Sequence, residues 1–114
     1  MRPRTKRHEI PALLAQTRDA NALARRRAVQ ALCPCETKVH DDAVWRRMLE
    51  MADDPDPGVR SLICHTICDG SPAEYETEVL ACLGKLRDDD DLKVRKMARR
   101  VLAQYRHTGR VNVL

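Results

Sequence analysis

The stretch Asp54–Arg60, with the sequence DPDPGVR, decides the fold of this 114-residue chain. A similar segment returns 35 residues downstream at Asp89–Arg95 (DDDLKVR) and 35 residues upstream at Asp19–Arg25 (DANALAR). In each copy an Asp precedes an Arg by six residues, and an apolar pattern of helical spacing follows. A period of roughly 20 to 50 residues is typical of proteins built from stacked repeats.

The segments that precede these stretches keep the same period. Ile10, Trp45 and Leu80 align in one column of the repeat, which predicts that Trp45 belongs to the core. Each unit therefore contains two helices that share one apolar side, and such a pair must stack on its neighbours to bury that side. The predicted helices cover about 11–18, 22–33, 42–53, 57–68, 72–87 and 92–106.

Residues that favour helix starts set several of these boundaries. Asn21 is the predicted N-cap of the second helix, and Asp41 or Asp42 that of the third. Asp56 should cap the fourth helix, because a proline suited to the first helical position follows it. The segment Ser71–Glu74 (SPAE) predicts a capping box at the start of the fifth helix.

With its recurring Asp and Arg columns, the chain resembles the HEAT-repeat family from about Glu9 to Tyr105. The resemblance implies an all-α fold, a right-handed α-solenoid of three HEAT-like helix pairs. It also implies that the Asp and Arg columns form a ladder between adjacent repeats. The predicted organisation is a basic arm at 1–8, a repeat domain at 9–106 with repeats at about 9–35, 41–70 and 72–106, and a tail at 107–114 whose apolar end is a candidate to fold back.

The second helix of each pair lines the inner face in the HEAT-repeat family, and the resemblance carries this expectation over to the present chain. The repeat columns then place basic residues at both ends of the inner face, with thiols and an imidazole between them. The cysteines expected on this face are Cys33, Cys64 and Cys68. The candidate binding residues are Arg26, Gln30, His65, Lys96, Arg99 and Arg100.

A second hypothesis concerns the cysteines. Cys33 and Cys68 occupy one column in adjacent repeats, and Cys35 follows a proline turn beside Cys33. Thiolates and an imidazole are ligands that zinc or iron accepts, so Cys33, Cys35, His65 and Cys68 are a candidate metal site, with His40 as another possible ligand. The alternatives are a redox pair of thiols and plain packing, because free cysteines commonly behave as small core residues.

Charge is distributed unevenly along the chain. Residues 1–30 carry eight Lys/Arg and two acids, residues 31–92 carry six and fifteen, and residues 93–114 carry seven and none. The basic ends make binding to nucleic-acid phosphates an alternative function. The scarcity of aromatic residues, one Trp and two Tyr without any Phe, counts against stacking on bases.

The remaining motifs favour a non-catalytic protein. The sequence contains no Gly-rich phosphate loop, and no orienting group or oxyanion loop accompanies its Cys and His residues. No apolar run approaches the roughly 20 residues of a membrane helix, and the basic N-terminus lacks the apolar core of a secretory signal. We therefore expect a cytoplasmic binding or adaptor module with a protein partner and no required cofactor.

Overall fold

The fold is described by a computed structural model, which covers residues 4–37 and 40–114. This part of the chain forms six α-helices in three consecutive pairs, which confirms the predicted all-α architecture. The hand of the superhelix stays a prediction. The helices are α1 (Ile10–Gln16), α2 (Ala22–Leu32), α3 (Asp42–Glu50), α4 (Pro57–Ile67), α5 (Glu76–Leu86) and α6 (Leu92–Thr108), with short 3-10 turns at Arg7–Glu9, Met51–Asp53 and Ala73–Tyr75.

The helices form two layers around one core. The first helices of the pairs, α1, α3 and α5, contact each other in one layer, and α2, α4 and α6 form the other. Leucine, valine, isoleucine and methionine side chains fill the space between the layers, and Met48, Ile63 and Leu83 are completely buried. Trp45 is only 7% exposed, which confirms its predicted place in the core.

Side-chain caps start the helices at the predicted residues. The Asn21 side chain accepts hydrogen bonds from the first turn of α2, and Asp56 does the same for α4. At α3 the cap is Asp41 rather than Asp42, because the Asp41 carboxylate accepts from the backbone N–H groups of Ala43 and Val44. Each such cap stabilises its helix by about 1 kcal/mol.

The Asp and Arg columns form the expected ladder between repeats. Arg25 donates two hydrogen bonds of 3.0 Å to the Asp54 carboxylate of the next repeat. Arg60 repeats this arrangement on Asp89 at 2.8 and 2.9 Å, and both side chains are at least 87% buried. The remaining guanidinium nitrogen of each Arg donates to backbone carbonyls of its own repeat. Every rung therefore joins the loop of one repeat to the loop of the next.

The start of α5 differs from the prediction, and the C-terminal tail explains why. The Ser71 side chain does not cap a helix; its hydroxyl instead donates to Asn112 Oδ1 at 3.1 Å. The capping-box prediction was wrong, and Asn112, 41 positions away in sequence, accepts from the backbone N–H that the Glu74 side chain would bind in a capping box. A 3-10 turn follows, and α5 begins at Glu76, about one turn late. The tail folds back as anticipated, since Val111 is buried and the Leu114 N–H donates to the Cys68 carbonyl.

The described part of the basic arm also contacts the body of the protein. The Thr5 N–H donates to the Glu36 carbonyl at 3.0 Å, and the Thr5 hydroxyl donates to the Ala31 carbonyl at 2.7 Å. At the other end, α6 extends two residues into the predicted tail. Within residues 4–37 and 40–114, none of the helices has the length and apolar character required to span a bilayer.

Candidate functional site

The second helices of the three pairs present one continuous face. Positions 35 residues apart lie in register across it, as in the column Gln30, His65 and Arg100. Gln30 and Arg100 are exposed, and His65 is partly exposed. We call this surface the α2–α4–α6 face; it comprises Arg26, Gln30, Ser61, Leu62, His65, Lys93, Lys96, Met97 and Arg100.

The cysteines do not lie on this face, contrary to the prediction from the repeat columns. Cys64 and Cys68 are completely buried, and Cys33 is 3% exposed. The physical reason is the crowding of α4, which packs against α2, α3, α5 and α6 together. Only a narrow stripe of such a helix stays exposed to solvent. Cys64 and Cys68, four residues apart, lie on the opposite side of α4 and therefore belong to the core.

Two of the predicted binding arginines are held by contacts within the chain. The Arg26 guanidinium lies over Gly58 and donates to both oxygens of Asp56, at 2.8 and 3.0 Å. The hydrogen bond from Arg26 lowers the pKa of the Asp56 carboxyl. Arg99 donates to the Arg87 carbonyl at 2.9 Å and lies 3.8 Å from Asp88. Both side chains remain partly exposed, but their donors are largely occupied.

The unpaired part of the face lies on α6. Lys93, Lys96 and Arg100 are exposed, and their side chains contact no hydrogen-bond or ion-pair partner among the described residues. Leu92 and Met97 complete an open depression of about 590 Å³ with them, and Leu92 is 53% exposed. Three free cations therefore surround an exposed apolar surface.

A separate cluster forms at the end of α2. The sulfur atoms of Cys33 and Cys35 and a carboxylate oxygen of Asp69 all lie within 4.8 Å of one another. His65 lies beside the same carboxylate, with Nε2 at 3.5 Å from Asp69 Oδ2. Of the four predicted metal ligands, the structure thus brings Cys33 and Cys35 together, places His65 beside Asp69 and leaves Cys68 in the core beside Cys64. Asp69 takes the place that the prediction gave to Cys68.

Comparison with known protein families agrees with the stacked helix pairs. The family model described as HEAT repeats matches residues 10–103. The chain belongs to the HEAT-repeat family. HEAT repeats generally mediate protein interactions as scaffolds, and HEAT-repeat proteins are typically not enzymes. No curated protein and no solved structure gives a significant match.

The five free cysteines of this HEAT-repeat protein fall into two groups. Cys64, Cys68 and Cys82 pack in the core: the hydrogen bond with Cys64, together with burial, raises the pKa of Cys68, and burial raises that of Cys82. Cys33 and Cys35 flank Pro34 at the end of α2, where Cys35 is exposed. Burial raises the pKa of the Cys33 thiol to about 12.

His40, the other imidazole considered as a ligand, belongs to a different group. Its Nε2 lies 3.1 Å from Asp42 Oδ1 and 3.6 Å from a Glu74 oxygen, and all three residues are exposed. The Tyr75 hydroxyl donates to the same Asp42 oxygen at 2.6 Å. This hydrogen bond lowers the pKa of Asp42 and raises that of Tyr75. The group links α3 to the turn before α5 within the HEAT array.

Sequence reasoning missed three residues of these sites. Lys93 was not predicted, because the equivalent residues of the other two repeats, Leu23 and Gly58, are uncharged. Asp69 lies beyond the end of α4 and aligns with Pro34 in the repeat, so its column gave no sign of a ligand. Asn112, which fixes the tail on Ser71 through four hydrogen bonds with Gly70 and Ser71, carried no local signal.

Proposed function

We propose that the protein is a non-catalytic adaptor that binds an acidic, partly apolar segment of another protein on its α2–α4–α6 face. The observation that carries this proposal is the unpaired group on α6. Lys93, Lys96 and Arg100 surround Leu92 and Met97, and none of the three cations has a hydrogen-bond or ion-pair partner among the described residues. An acidic segment with an apolar anchor would complement both the charge and the apolar surface.

The rest of the face supports the same occupant. A second depression of about 330 Å³ adjoins the first, shares Lys93 with it and is lined by polar residues such as Gln30 and Ser61. Arg26 and Gln30 can contribute hydrogen bonds there, since Arg26 is 42% exposed in spite of its ion pair. His65 belongs to the same face, whereas Arg99 lines a separate, smaller depression with Arg87 and Arg106. An extended segment of a partner could contact both depressions along the three helices.

Binding to nucleic-acid phosphates is less favoured. Arg26 already pairs with Asp56, and Arg99 already binds the α5–α6 loop, so fewer free cations remain on the face than the sequence suggested. Trp45 is buried, and Tyr75 and Tyr105 are partly buried against the core, which leaves little aromatic surface for base stacking. The experiment that tests the proposed function must therefore also be able to detect binding to nucleic acid.

Site-specific photo-crosslinking in the cells that make the protein tests this function. A crosslinker at Gln30 or Lys96 should capture the same protein partner, whereas one at exposed Ala81 on α5 should not. The double substitution Lys96→Glu/Arg100→Glu should abolish capture, and Arg46→Glu on α3 should leave it unchanged. Equal capture from Ala81, or capture that disappears after nuclease treatment, would refute the proposal.

We also propose a cytoplasmic location. The support is chemical: all five cysteines are free thiols, and disulfide-poor proteins with several cysteines are typical of reducing compartments. The proposed adaptor function requires neither a cofactor nor catalysis.

A further inference from the structure

The turn that follows α2 holds two thiols close together. Helix α2 ends at Leu32, and Pro34 prevents its continuation, so that Cys33 and Cys35 lie on either side of a bend. The backbone N–H groups of Glu36 and Thr37 donate to the Cys33 carbonyl at 2.8 and 2.9 Å, which fixes this turn. The backbone positions of Cys33 and Cys35 are thus fixed by the turn before any ligand binds.

Asp69 completes the group from the neighbouring repeat. It follows the end of α4, and its Oδ2 lies 3.6 Å from Cys33 Sγ. The same oxygen lies 3.5 Å from His65 Nε2. The side chains of Asp69 and His65 are 29% and 44% exposed, so solvent reaches the cluster from this side. Two sulfurs, one carboxylate and one imidazole therefore converge on a small region between two repeats.

These distances fit the edges of a tetrahedral metal site. With metal–ligand distances of about 2.3 Å for sulfur and about 2.0 Å for oxygen and nitrogen, tetrahedral geometry gives edges of about 3.5 Å for S···O and about 3.3 Å for N···O. The observed edges are 3.6 Å and 3.5 Å. Cys33, Cys35 and Asp69 offer ligand atoms within 4.8 Å of one another, and His65, whose Nε2 lies 3.5 Å from Asp69 Oδ2, is the nearest imidazole that can complete the set.

We propose that Cys33, Cys35, Asp69 and His65 form a binding site for a single Zn²⁺ ion. Two sulfur ligands with one imidazole and one carboxylate suit zinc in tetrahedral geometry. Binding releases the two thiol protons to solvent, because the ion is held by thiolates. The bound ion would join the turn after α2 to the end of α4, and so would lock the first repeat onto the second.

The three core cysteines provide a control for the metal-site proposal. Cys64, Cys68 and Cys82 are at most 8% exposed, and none of them belongs to a group of three potential ligands among the described residues. Cys82 donates to the Leu49 carbonyl at 3.6 Å, a contact that serine can replace. Cys82→Ser is therefore a matched control for substitutions at Cys33 and Cys35.

The test is titration of the reduced, full-length protein with Co²⁺, whose absorption reports thiolate ligation and tetrahedral geometry, followed by displacement with Zn²⁺. One equivalent of Co²⁺ should bind with a sulfur-to-metal charge-transfer band, and one equivalent of Zn²⁺ should remove it. Cys35→Ser, at an exposed position that folding does not depend on, should weaken binding at least tenfold. Asp69→Asn and Cys33→Ser should do the same, whereas Cys82→Ser should bind as the unmodified protein does.

Several outcomes would overturn the proposal. Absence of a charge-transfer band in the reduced protein would do so, and so would a band of equal strength in Cys35→Ser and Asp69→Asn. Loss of the band in Cys82→Ser would indicate that the metal binds in the core and not at the turn after α2. The Lys96→Glu/Arg100→Glu variant should bind Co²⁺ normally, so failure of the partner-binding proposal and failure of the metal proposal remain distinguishable.

Discussion

Arg60 forms the second rung of the ladder, and its replacement by methionine should be among the most damaging changes in the loops between the helices of each pair. The variant loses two hydrogen bonds to Asp89, at 2.8 and 2.9 Å, two to the carbonyls of Asp54 and Pro55, at 2.9 and 3.1 Å, and one to the exposed Asp90 carboxylate at 3.1 Å. It also leaves the Asp89 carboxylate unpaired with only 8% of its side chain exposed.

The magnitude follows from burial. Breaking a buried ion pair by removing one partner costs about 3–5 kcal/mol of the free energy of unfolding. Because Arg60 and Asp89 keep slight contact with solvent, we expect the lower end, about 3 kcal/mol, for Arg60→Met. Arg60→Lys retains the charge but loses the two-pronged geometry, and should cost about 1–2 kcal/mol.

Arg95 provides the matched control, because it ends the ladder. It donates one hydrogen bond of 2.7 Å to the Asp89 carbonyl and has no Asp of a following repeat within the described chain. Arg95→Met should therefore cost only about 1 kcal/mol. Urea unfolding followed by circular dichroism measures all three variants. Equal costs for Arg60→Met and Arg95→Met would refute the assignment of stability to the carboxylate pairing between repeats.

Three further predictions concern the tail, a helix cap and acid stability. Asn112→Ala should destabilise the protein by about 2 kcal/mol in urea unfolding, because four hydrogen bonds to Gly70 and Ser71 disappear. Asp41→Ala should cost about 1 kcal/mol in the same assay, since the first turn of α3 loses its cap. Although burial opposes it, hydrogen bonding from Arg60 lowers the pKa of Asp89, so its stabilisation is present above about pH 4 and disappears as the pH falls through the lowered value. Melting temperatures between about pH 2 and 7 should therefore depend less on pH in Asp89→Asn.

The fold could be predicted because the sequence features that indicate it recur in all three repeats. The offset of 35 residues aligned the Asp and Arg columns, and the resemblance to HEAT repeats implied the ladder that Arg25 and Arg60 form. Caps such as Asn21 and Asp56 were also predictable, since an N-cap is decided by the residue and the first turn after it. Local chemistry and periodicity together were sufficient for these features.

The candidate sites were harder to predict because they lie where the repeats differ. Pro34 and Asp69 occupy the same column, yet one ends α2 with a sharp turn and the other provides a carboxylate to the cysteine cluster. Cys33 and Cys68 share a column as well, but the close packing of α4 buries the second thiol in the core. Column alignment assumes that equivalent positions have equivalent surroundings, and this assumption fails at the ends of helices.

The start of α5 shows a second limit of local reasoning. Ser71 has the neighbours that a capping box requires, but its hydroxyl and its N–H both bind Asn112 from the tail. A contact across 41 residues cannot be inferred from the four residues of a cap motif. Tertiary contacts therefore decided the local structure here.

The ladder also has a consequence for how the protein opens. Its rungs span 29 residues and connect only successive repeats, and no hydrogen bond of the described residues joins α1 or α2 to α5 or α6. The tail, in contrast, ties the end of the chain back to the loop between α4 and α5. The first repeat can therefore detach while the other two remain folded, so amide hydrogen exchange should be fastest in α1 and α2 and slowest in α4.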